Sequence, residues 1–511
     1  MSRPGRPRAR GLTRREALAE LGAGGTGLLL AGCAGAALHP AADGSTLEST
    51  WRDPDGDGQL QPEPGERLIE RTELAPAGAG GVRLALLAHL SDAHVIDEES
   101  PARVPFLRRL GAPFNSTFRP QEALSKRVLA GALRAVGALR PDALIQGGDL
   151  IDNAQHNELD WALTLLGGGR LDPRSGNAVY EGVQSQVNPD PFYYRPDLDA
   201  PRHPGLLAEA VEPFLTPGVS TPVYPVLGDH DILVQGVLAP SPLTRAIALG
   251  DRAIWDLPGG LTLPGGLSLS PAGAAADSPD SLPRPELLVG LIEQVAQAPS
   301  VPVAADPARQ ELGVAEVLTR LRAGGQGGSG PLLDYSFDVG RRLRVIVLDL
   351  VRREGGSGGL VHPAQPGFLQ AALSGAGDRW VIVVSHQPLA SSQGGERLLA
   401  LLDGAPRVIA AISGHTHRNR ITPRPSRGGG YWLIATASLI DFPQQLRALR
   451  VIEQGTGAVA LETWMIDHSP DPRIGDVSRE LSYIDAQGGR PQGFAGGPLD
   501  RDVRLFKRVA A

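Results

Sequence analysis

Aspartate and histidine residues recur in five short polar stretches of this 511-residue chain, each placed just after an apolar run. The stretches read SDAHVID, GGDLIDN, GDHD, SHQPL and GHTHRN, and they begin at Ser91, Gly147, Gly228, Ser385 and Gly414. Five of the 11 histidines fall within them. Carboxylate and imidazole groups without any thiolate suit divalent ions such as Mn, Fe and Zn. The residue types therefore predict a metal centre.

The spacing of the candidate ligands supports the same prediction. One residue separates the pair in Asp92-Ala93-His94 and the pair in His415-Thr416-His417. In an extended segment, both side chains of such a pair point to the same side. A carboxylate shared between two ions could hold them roughly 3.5–4 Å apart, the spacing used by two-metal hydrolases.

Strands and helices must bring these stretches together. Apolar runs of strand length end in polar turns at 83–90, 143–146, 223–227, 343–348, 380–384, 408–412 and 431–436. Helical patterns lie at 121–139, 365–373 and 396–402. The segments 446–453 and 458–466 flank Gly455-Thr456-Gly457 and are typical of a hairpin. The alternation predicts an α/β sandwich with a largely buried mixed sheet, in which ligands bind at strand ends.

Composition predicts the organisation of the remaining chain. Residues 1–33 have the features of an export signal, and residues 34–80, rich in Ala, Gly, Pro and Asp, are typical of a flexible linker. We expect a catalytic domain at 81–470 with insertions at about 159–221 and 233–331, because loops of that length in a compact domain are usually functional or disordered. Residues 471–511 show no strong period and predict a C-terminal tail on the surface.

The N-terminal residues carry two export-like motifs. Thr13-Arg14-Arg15-Glu16-Ala17-Leu18 resembles the twin-arginine motif, and Leu30-Ala31-Gly32-Cys33 resembles the lipobox of bacterial lipoproteins, in which the cysteine is lipidated. The apolar core is too short for a permanent membrane-spanning helix. We therefore expect export to the cell envelope, with a lipid anchor on Cys33 at the outer face of the cytoplasmic membrane, or secretion. The alternative is a basic tail followed by an ordinary buried helix.

Charge and cysteine content exclude several classes of partner and site. The net charge is -7 and no long basic run follows the N-terminus, so no specific nucleic-acid binding is expected. Cys33 is the single cysteine, which excludes an intrachain disulfide and a thiolate site in the body of the protein. Because no other segment approaches ~20 uninterrupted apolar residues, we expect membrane contact only through a possible N-terminal lipid.

The five stretches together resemble the calcineurin-like metallophosphoesterase superfamily, whose pattern is D-x-H, G-D-x-x-D, G-N-H-[DE], a single H after a strand, and G-H-x-H. This chain supplies, in that order, Asp92-Ala93-His94, Gly148-Asp149-Leu150-Ile151-Asp152, Gly228-Asp229-His230-Asp231, His386 and Gly414-His415-Thr416-His417. The resemblance spans about residues 82–467. It implies a four-layer α/β/β/α sandwich with mixed sheets and long loop insertions. It also implies hydrolysis of a phosphomonoester or phosphodiester by a hydroxide that bridges two divalent metal ions, with a phosphorylated small molecule or macromolecule as substrate.

The resemblance also assigns roles by position. One metal ion would be bound by Asp92, His94, Asp149 and His417. Asp149 would bridge to a second ion, completed by Asp229, His386 and His415. His230 would be the catalytic residue, protonating the leaving oxygen or stabilising developing charge. Asp152 and Asp231 are expected to orient histidines and other ligands through hydrogen bonds.

The third stretch departs from the family pattern, because Asp229 stands where the family has asparagine. The extra negative charge should hold metal ions more tightly but acidify bound water less and attract a phosphate anion less. A ferric-tyrosinate centre is not expected, since Asp152 occupies the position of the tyrosine ligand of purple acid phosphatases. The alternative function is a non-catalytic cell-surface protein that binds a phosphorylated ligand through the metal cage.

Overall fold

Apolar runs at the predicted positions form the strands of two mixed sheets in the computed structural model. The structure describes residues 43–111, 114–257, 294, 298, 300–324, 328–455, 457–468, 473–488 and 494–510. The predictions for residues 1–33, including lipidation of Cys33, lie outside the described residues, as does most of the segment 258–299 of the second predicted insertion.

The described residues contain the following elements. The strands are β1 (Ser49–Arg52), β2 (Gln61–Pro64), β3 (Ile69–Arg71), β4 (Val82–Leu90), β5 (Ala143–Gln146), β6 (Gly169–Leu171), β7 (Phe214–Thr216), β8 (Val223–Pro225), β9 (Arg252–Ile254), β10 (Ser300–Pro302), β11 (Tyr335–Val339), β12 (Leu343–Leu348), β13 (Trp380–Ser385), β14 (Val408–Ser413), β15 (Arg420–Arg424), β16 (Tyr431–Ala435), β17 (Gln445–Glu453), β18 (Ala458–Asp467) and β19 (Val503–Arg508). The α-helices are α1 (Ser125–Leu139), α2 (His156–Gly167), α3 (Leu206–Ala210), α4 (Pro242–Ala248), α5 (Val314–Leu321), α6 (Gln365–Ser374), α7 (Gly395–Asp403) and α8 (Ile474–Gln487). Short 3-10 helices lie at Pro105–Leu110, Glu122–Leu124, Pro307–Arg309, Arg322–Gly324 and Pro498–Asp500.

Both sheets have parallel strands at their centre or at one side. The seven-stranded sheet has the order β3-β19-β18-β17-β4-β5-β8, with β4, β5 and β8 mutually parallel. The six-stranded sheet has the order β11-β12-β13-β14-β16-β15, with β12, β13, β14 and β16 parallel. The remaining strands form two-stranded pairs, β1 with β2, β6 with β7, and β9 with β10. The predicted mixed α/β fold with mixed sheets is confirmed.

Two buried apolar clusters show how the strands and helices pack. Leu87 of β4 and Val345 of β12 belong to one cluster, which also contains Leu133 of α1. The next residue of β12, Ile346, points to the opposite face and belongs to a second cluster with Leu398 of α7. Because side chains alternate along a strand, the six-stranded sheet is buried on both faces.

The terminal segments differ from the prediction. The strand β3 lies within the predicted linker, and β19 lies within the predicted surface tail, yet they pair in parallel at the edge of the seven-stranded sheet. At these residues the structure therefore has paired strands where the sequence analysis predicted a linker and a tail. The three residues of β3 are too few to show a period, and its pairing with β19 joins positions more than 400 residues apart in sequence.

The predicted insertions contain regular structure in their described parts. Helix α2 occupies the start of the first one, and α4 and α5 lie in the second. Among the described helices, none combines the length and the apolar character needed to cross a membrane.

Candidate metal centre

The polar stretches follow strands of both sheets. Asp92 comes two residues after β4, Asp149 three residues after β5, and Asp229 four residues after β8. His386 comes directly after β13, and His415 two residues after β14. Since β4, β5 and β8 are parallel, their carboxyl ends meet at one edge of their sheet, and the same holds for β13 and β14. The structure brings all of these side chains together.

The first group of candidate ligands contains Asp149, Asp229, His386 and His415, whose ligand atoms lie within 4.8 Å of one another. Nε2 of His386 is 3.0 Å from Oδ2 of Asp149 and 3.3 Å from Oδ1 of Asp229. Nδ1 of His415 is 3.2 Å from the same oxygen of Asp229. Nδ1 of His386 lies 2.8 Å from the backbone oxygen of Gly147, which can only accept, so this nitrogen carries the hydrogen. Nε2 of His386 therefore faces the carboxylates.

The second group contains Asp92, His94 and His417. Nε2 of His417 is 3.3 Å from Oδ1 of Asp92 and 3.3 Å from Nε2 of His94, so both ring nitrogens face one point. Oδ2 of Asp149 lies 3.8 Å from Nε2 of His94, which places this carboxylate between the two groups.

The backbone at the candidate ligands differs from the prediction of extended segments. Asp92, His94, Asp149, His415 and His417 all have φ between 41° and 65°. This left-handed region is strained for residues with a Cβ, and such strain is concentrated at functional sites. As a result, His415 and His417 reach different groups, although one residue separates them.

Two motif glycines allow the close approach of these side chains. Gly148 has φ 95°, and a Cβ there would lie 2.3 Å from Nδ1 of His386. A Cβ on Gly414 would lie 1.9 Å from Oγ of Ser91 and 2.6 Å from Oδ2 of Asp92. Any other residue would push the stretches apart.

Asp152 contacts a candidate ligand and a buried arginine. Its Oδ1 is 2.9 Å from Nδ1 of His94, and its Oδ2 pairs with the guanidinium of Arg103. Burial alone would raise the pKa of Asp152, but Arg103 and the histidines His230 and His94 outweigh it and hold the pKa well below the ordinary value. A charged carboxylate fixes the hydrogen of His94 on Nδ1 and leaves Nε2 as the ligand atom.

Asp231 acts on backbone rather than on a histidine. Its carboxylate accepts hydrogen bonds from the backbone nitrogens of Gly228 at 2.8 Å, Leu150 at 2.8 Å and Ile151 at 3.2 Å. Burial, together with Asp149, raises the pKa of Asp231 to about 7. Asp231 therefore joins the second and third stretches to each other.

Asp441 is a site residue that the sequence analysis missed. Its Oδ2 lies 2.6 Å from Nδ1 of His417, and its Oδ1 lies 2.9 Å from Nε of Arg119. Burial alone would lower the pKa of His417, but Asp92 and Asp441 outweigh it and raise the pKa to about 9. Asp441 lies outside the five stretches, and its only signal is a carboxylate in the turn after the apolar run of β16.

One buried network holds both orienting carboxylates. Nη2 of Arg103 is 2.7 Å from Oε2 of Glu122, and the same oxygen accepts from the backbone nitrogen of Arg119 at 2.9 Å. Arg103 contacts Asp152 and Arg119 contacts Asp441, so the two histidines of the second group are oriented from one segment of chain. We call Arg103, Arg119 and Glu122 the arginine clamp.

His230 lies beside the second group. Its Nδ1 is 2.8 Å from the backbone oxygen of Asp152, so this nitrogen carries a hydrogen and Nε2 is the position for proton exchange. Its ring centroid is 4.6 Å from that of His94, with the rings nearly perpendicular. The backbone nitrogen of His230 donates to Oδ1 of Asp149 at 3.0 Å, which ties this histidine to the carboxylate between the groups.

The donor set fits divalent cations. All seven candidate ligands are at most 2% exposed. Among the described residues, none hydrogen bonds to Oδ2 of Asp229 or to Nε2 of His415, although both atoms are buried. Burial alone would lower the pKa of His386, but Asp149 and Asp229 outweigh it and raise the pKa well above the ordinary value. The buried carboxylates therefore favour a positive charge beside them. Oxygen and imidazole ligands suit Mn, Fe and Zn.

Comparison with known proteins gives distant structural similarity. No protein-family pattern and no curated sequence matches the chain. A dimetal phosphatase from Danio rerio is similar in structure, with a TM-score of 0.37 and 13% identity over 76% of this chain and 100% of that one. A purple acid phosphatase from yellow lupin (Lupinus luteus) seeds gives 0.30 and 11%, over 76% of this chain and 52% of that one. The structure of PhoD gives 0.29 and 10%, over 81% and 80%. Similarity at this level establishes no function for this chain.

Proposed function

We propose that this chain hydrolyses a phosphate ester at a site that holds two divalent metal ions. The meeting of seven buried carboxylate and imidazole groups from both sheets supports this proposal most directly. One ion would be held by Asp92, His94 and His417, and the other by Asp229, His386 and His415. Asp149, between the two groups, would contact both ions.

The chain's own residues would position the substrate and move a proton. When bound, divalent ions lower the pKa of water and neutralise charge on the phosphoryl group. His230 would donate a proton from Nε2 to the departing oxygen, because its Nδ1 is engaged by the carbonyl of Asp152. Asp152 and Asp441 would keep the hydrogens of His94 and His417 on Nδ1, so that Nε2 of each ring is free to bind metal.

The decisive experiment measures turnover of the Mn²⁺-loaded protein on p-nitrophenyl phosphate and on bis(p-nitrophenyl) phosphate. We expect hydrolysis of at least one of these esters, and the ratio of the two rates assigns the protein to monoesters or diesters. The His230→Ala variant should retain its metal ions but lose most of the turnover. If the protein binds two ions per chain yet hydrolyses neither ester, the proposal fails and the non-catalytic binding function is favoured.

The finer predictions on architecture and location are part of the same proposal. The two apolar clusters support a helix/sheet/sheet/helix order of layers, the four-layer sandwich.

The motifs in residues 1–33 support export with lipidation of Cys33 or secretion, with contact to a membrane only through the lipid. Mass spectrometry of the mature N-terminus, isolated from the membrane and soluble fractions of a bacterial host, distinguishes lipidation from secretion.

A further inference from the structure

Gln387 follows His386 directly and contacts Asp229, the residue at which the chain departs from the phosphoesterase pattern. Its Nε2 donates to Oδ1 of Asp229 at 2.9 Å and to the backbone oxygen of Ser357 at 3.3 Å. Gln387 and Asp229 are each 1% exposed, and Ser357 is fully buried. The contact is therefore shielded from water.

The orientation of this amide is fixed by its partners. A carboxylate oxygen and a backbone carbonyl only accept hydrogen bonds, so the NH₂ group of Gln387 must face them. The flipped amide would place Oε1 against two acceptors. Gln387 is therefore a donor to Asp229.

The same oxygen of Asp229 faces two candidate metal ligands. Oδ1 lies 3.3 Å from Nε2 of His386 and 3.2 Å from Nδ1 of His415. Asparagine at position 229 would have an NH₂ group of its own, whereas aspartate has only acceptors. With aspartate, a neighbouring donor can fix the rotation of the carboxylate and stabilise its negative charge through a hydrogen bond. Gln387 is placed to do both.

The loop after β12 packs against Gln387 and supplies its second acceptor. The backbone nitrogen of Gly356 donates to the backbone oxygen of Val237 at 2.8 Å, which attaches this loop to the chain that follows Asp229. A Cβ on Gly359 would lie 2.9 Å from Cβ of Gln387, so glycine allows the loop to approach. This loop supplies none of the candidate metal ligands, but it fixes the second acceptor of Gln387.

We propose that Gln387 is a positioning residue that holds Oδ1 of Asp229 toward His386 and His415. In this way Gln387 allows an aspartate, rather than an asparagine, to bind metal at position 229. The inference rests on the proposed two-metal function and concerns the affinity of the site for its ions. Gln387 acts through Asp229 and is not itself a ligand.

Two variants test the proposal with Mn²⁺ alone as the probe. The first, Gln387→Leu, removes the donor and should raise the Mn²⁺ Kd about 10- to 100-fold, the usual effect of losing a group that orients a ligand. The second, Gln387→Glu, places a second carboxylate against that of Asp229 and should bind more weakly still. Each Kd is measured by titration of chelator-treated protein, and thermal unfolding of each variant is recorded.

Gln184 provides a matched control. It is 1% exposed, and its Nε2 donates to the backbone oxygens of Pro120 and Tyr194 at 3.0 Å each. The variant Gln184→Leu removes a pair of hydrogen bonds from a buried amide, and neither acceptor belongs to a candidate metal ligand or to the loop after β12. It should lower the unfolding temperature and leave the Mn²⁺ Kd unchanged.

The outcomes separate this inference from the proposed function. If wild-type protein retains less than one Mn²⁺ per chain, both fail. If wild-type protein binds Mn²⁺ and Gln387→Leu binds equally well, or if Gln184→Leu weakens binding as much as Gln387→Leu does, only the inference on Gln387 is overturned.

Discussion

Replacing Asp441 by asparagine removes one buried charge while keeping an oxygen that can accept from His417. In the native site, Oδ2 of Asp441 is 2.6 Å from Nδ1 of His417, and Oδ1 is 2.9 Å from Nε of Arg119. Losing the carboxylate behind a metal-binding histidine usually weakens metal affinity about 10- to 100-fold. This corresponds to about 1.4–2.8 kcal/mol at 25 °C. We expect Asp441→Asn to weaken Mn²⁺ binding by that factor.

The substitution also affects folding, because the buried guanidinium of Arg119 would lose the charge of its carboxylate partner Asp441. Breaking a buried ion pair from one side costs about 3–5 kcal/mol, and the asparagine oxygen offsets part of it. The double variant Arg119→Met with Asp441→Asn removes both charges. It should therefore regain stability relative to Asp441→Asn while the Mn²⁺ Kd stays high. Stability and metal affinity are thereby measured as separate quantities.

Asp97 and Arg309 form a matched ion pair for comparison. Nε of Arg309 is 2.9 Å from Oδ2 of Asp97, and both side chains are 2% exposed. The variant Asp97→Asn should lower the unfolding temperature in the same way and leave the Mn²⁺ Kd unchanged. Isothermal titration of chelator-treated proteins gives the Kd values, and calorimetry gives the unfolding temperatures. An Asp441→Asn protein that binds Mn²⁺ within twofold of wild type would refute the role assigned to Asp441.

Three further predictions concern single residues. The variant His230→Ala should retain its metal ions and lose turnover by about 10²- to 10⁴-fold, the usual contribution of a general acid; equal turnover in steady-state assays would exclude His230 as the proton donor. The variant Asp231→Asn should lower the free energy of unfolding by about 1–3 kcal/mol, because one acceptor oxygen replaces two and a backbone donor loses its partner; urea denaturation measures the change. Burial raises the pKa of Glu99 from 4.5 to about 9, so the neutral carboxyl is favoured in the folded state. The contribution of this carboxyl to the stability of the fold is complete below pH 4.5 and is lost as the pH rises toward 9. The variant Glu99→Gln should therefore be more stable than wild type at pH 7, by up to about 3 kcal/mol, and equal to it near pH 4. Thermal unfolding of both proteins at both pH values measures this. The same stability difference at pH 7 and pH 4 would contradict the prediction.

A single sequence is informative where the residue type and its neighbours carry the information. The ligand candidates are Asp and His placed after long apolar runs, such as the fully buried strand before His386. Their motifs include glycines at positions where a Cβ would clash with a neighbouring side chain, as at Gly148. Strand and helix positions followed from the same apolar periods. These features are local, and a single sequence displays them.

Sequence reasoning failed where a residue acts through a distant partner. Nothing around Asp441 or Arg119 indicates their contact, because 322 positions separate them along the chain. The strand β3 has three residues and exists through its pairing with β19. Asp231 was expected to orient histidines and other ligands, and its oxygens accept from backbone nitrogens that only the folded loops bring close. Each failure concerns a contact that tertiary packing creates.

The left-handed backbone at five candidate ligands explains why the motif residues are Asp and His. Residues with a Cβ are uncommon at positive φ, and Asp, Asn and His are several-fold enriched there. The strain of about 1–3 kcal/mol per residue must be offset by the surrounding structure. Here the backbone nitrogens of Asp92 and His94 donate to the backbone oxygens of Gly148 and Asp149 at 3.0 Å, and that of His415 donates to Oδ1 of Asp92 at 3.0 Å. The stretches therefore hold one another in place, and the residue types that tolerate this backbone are the same types that bind metal ions.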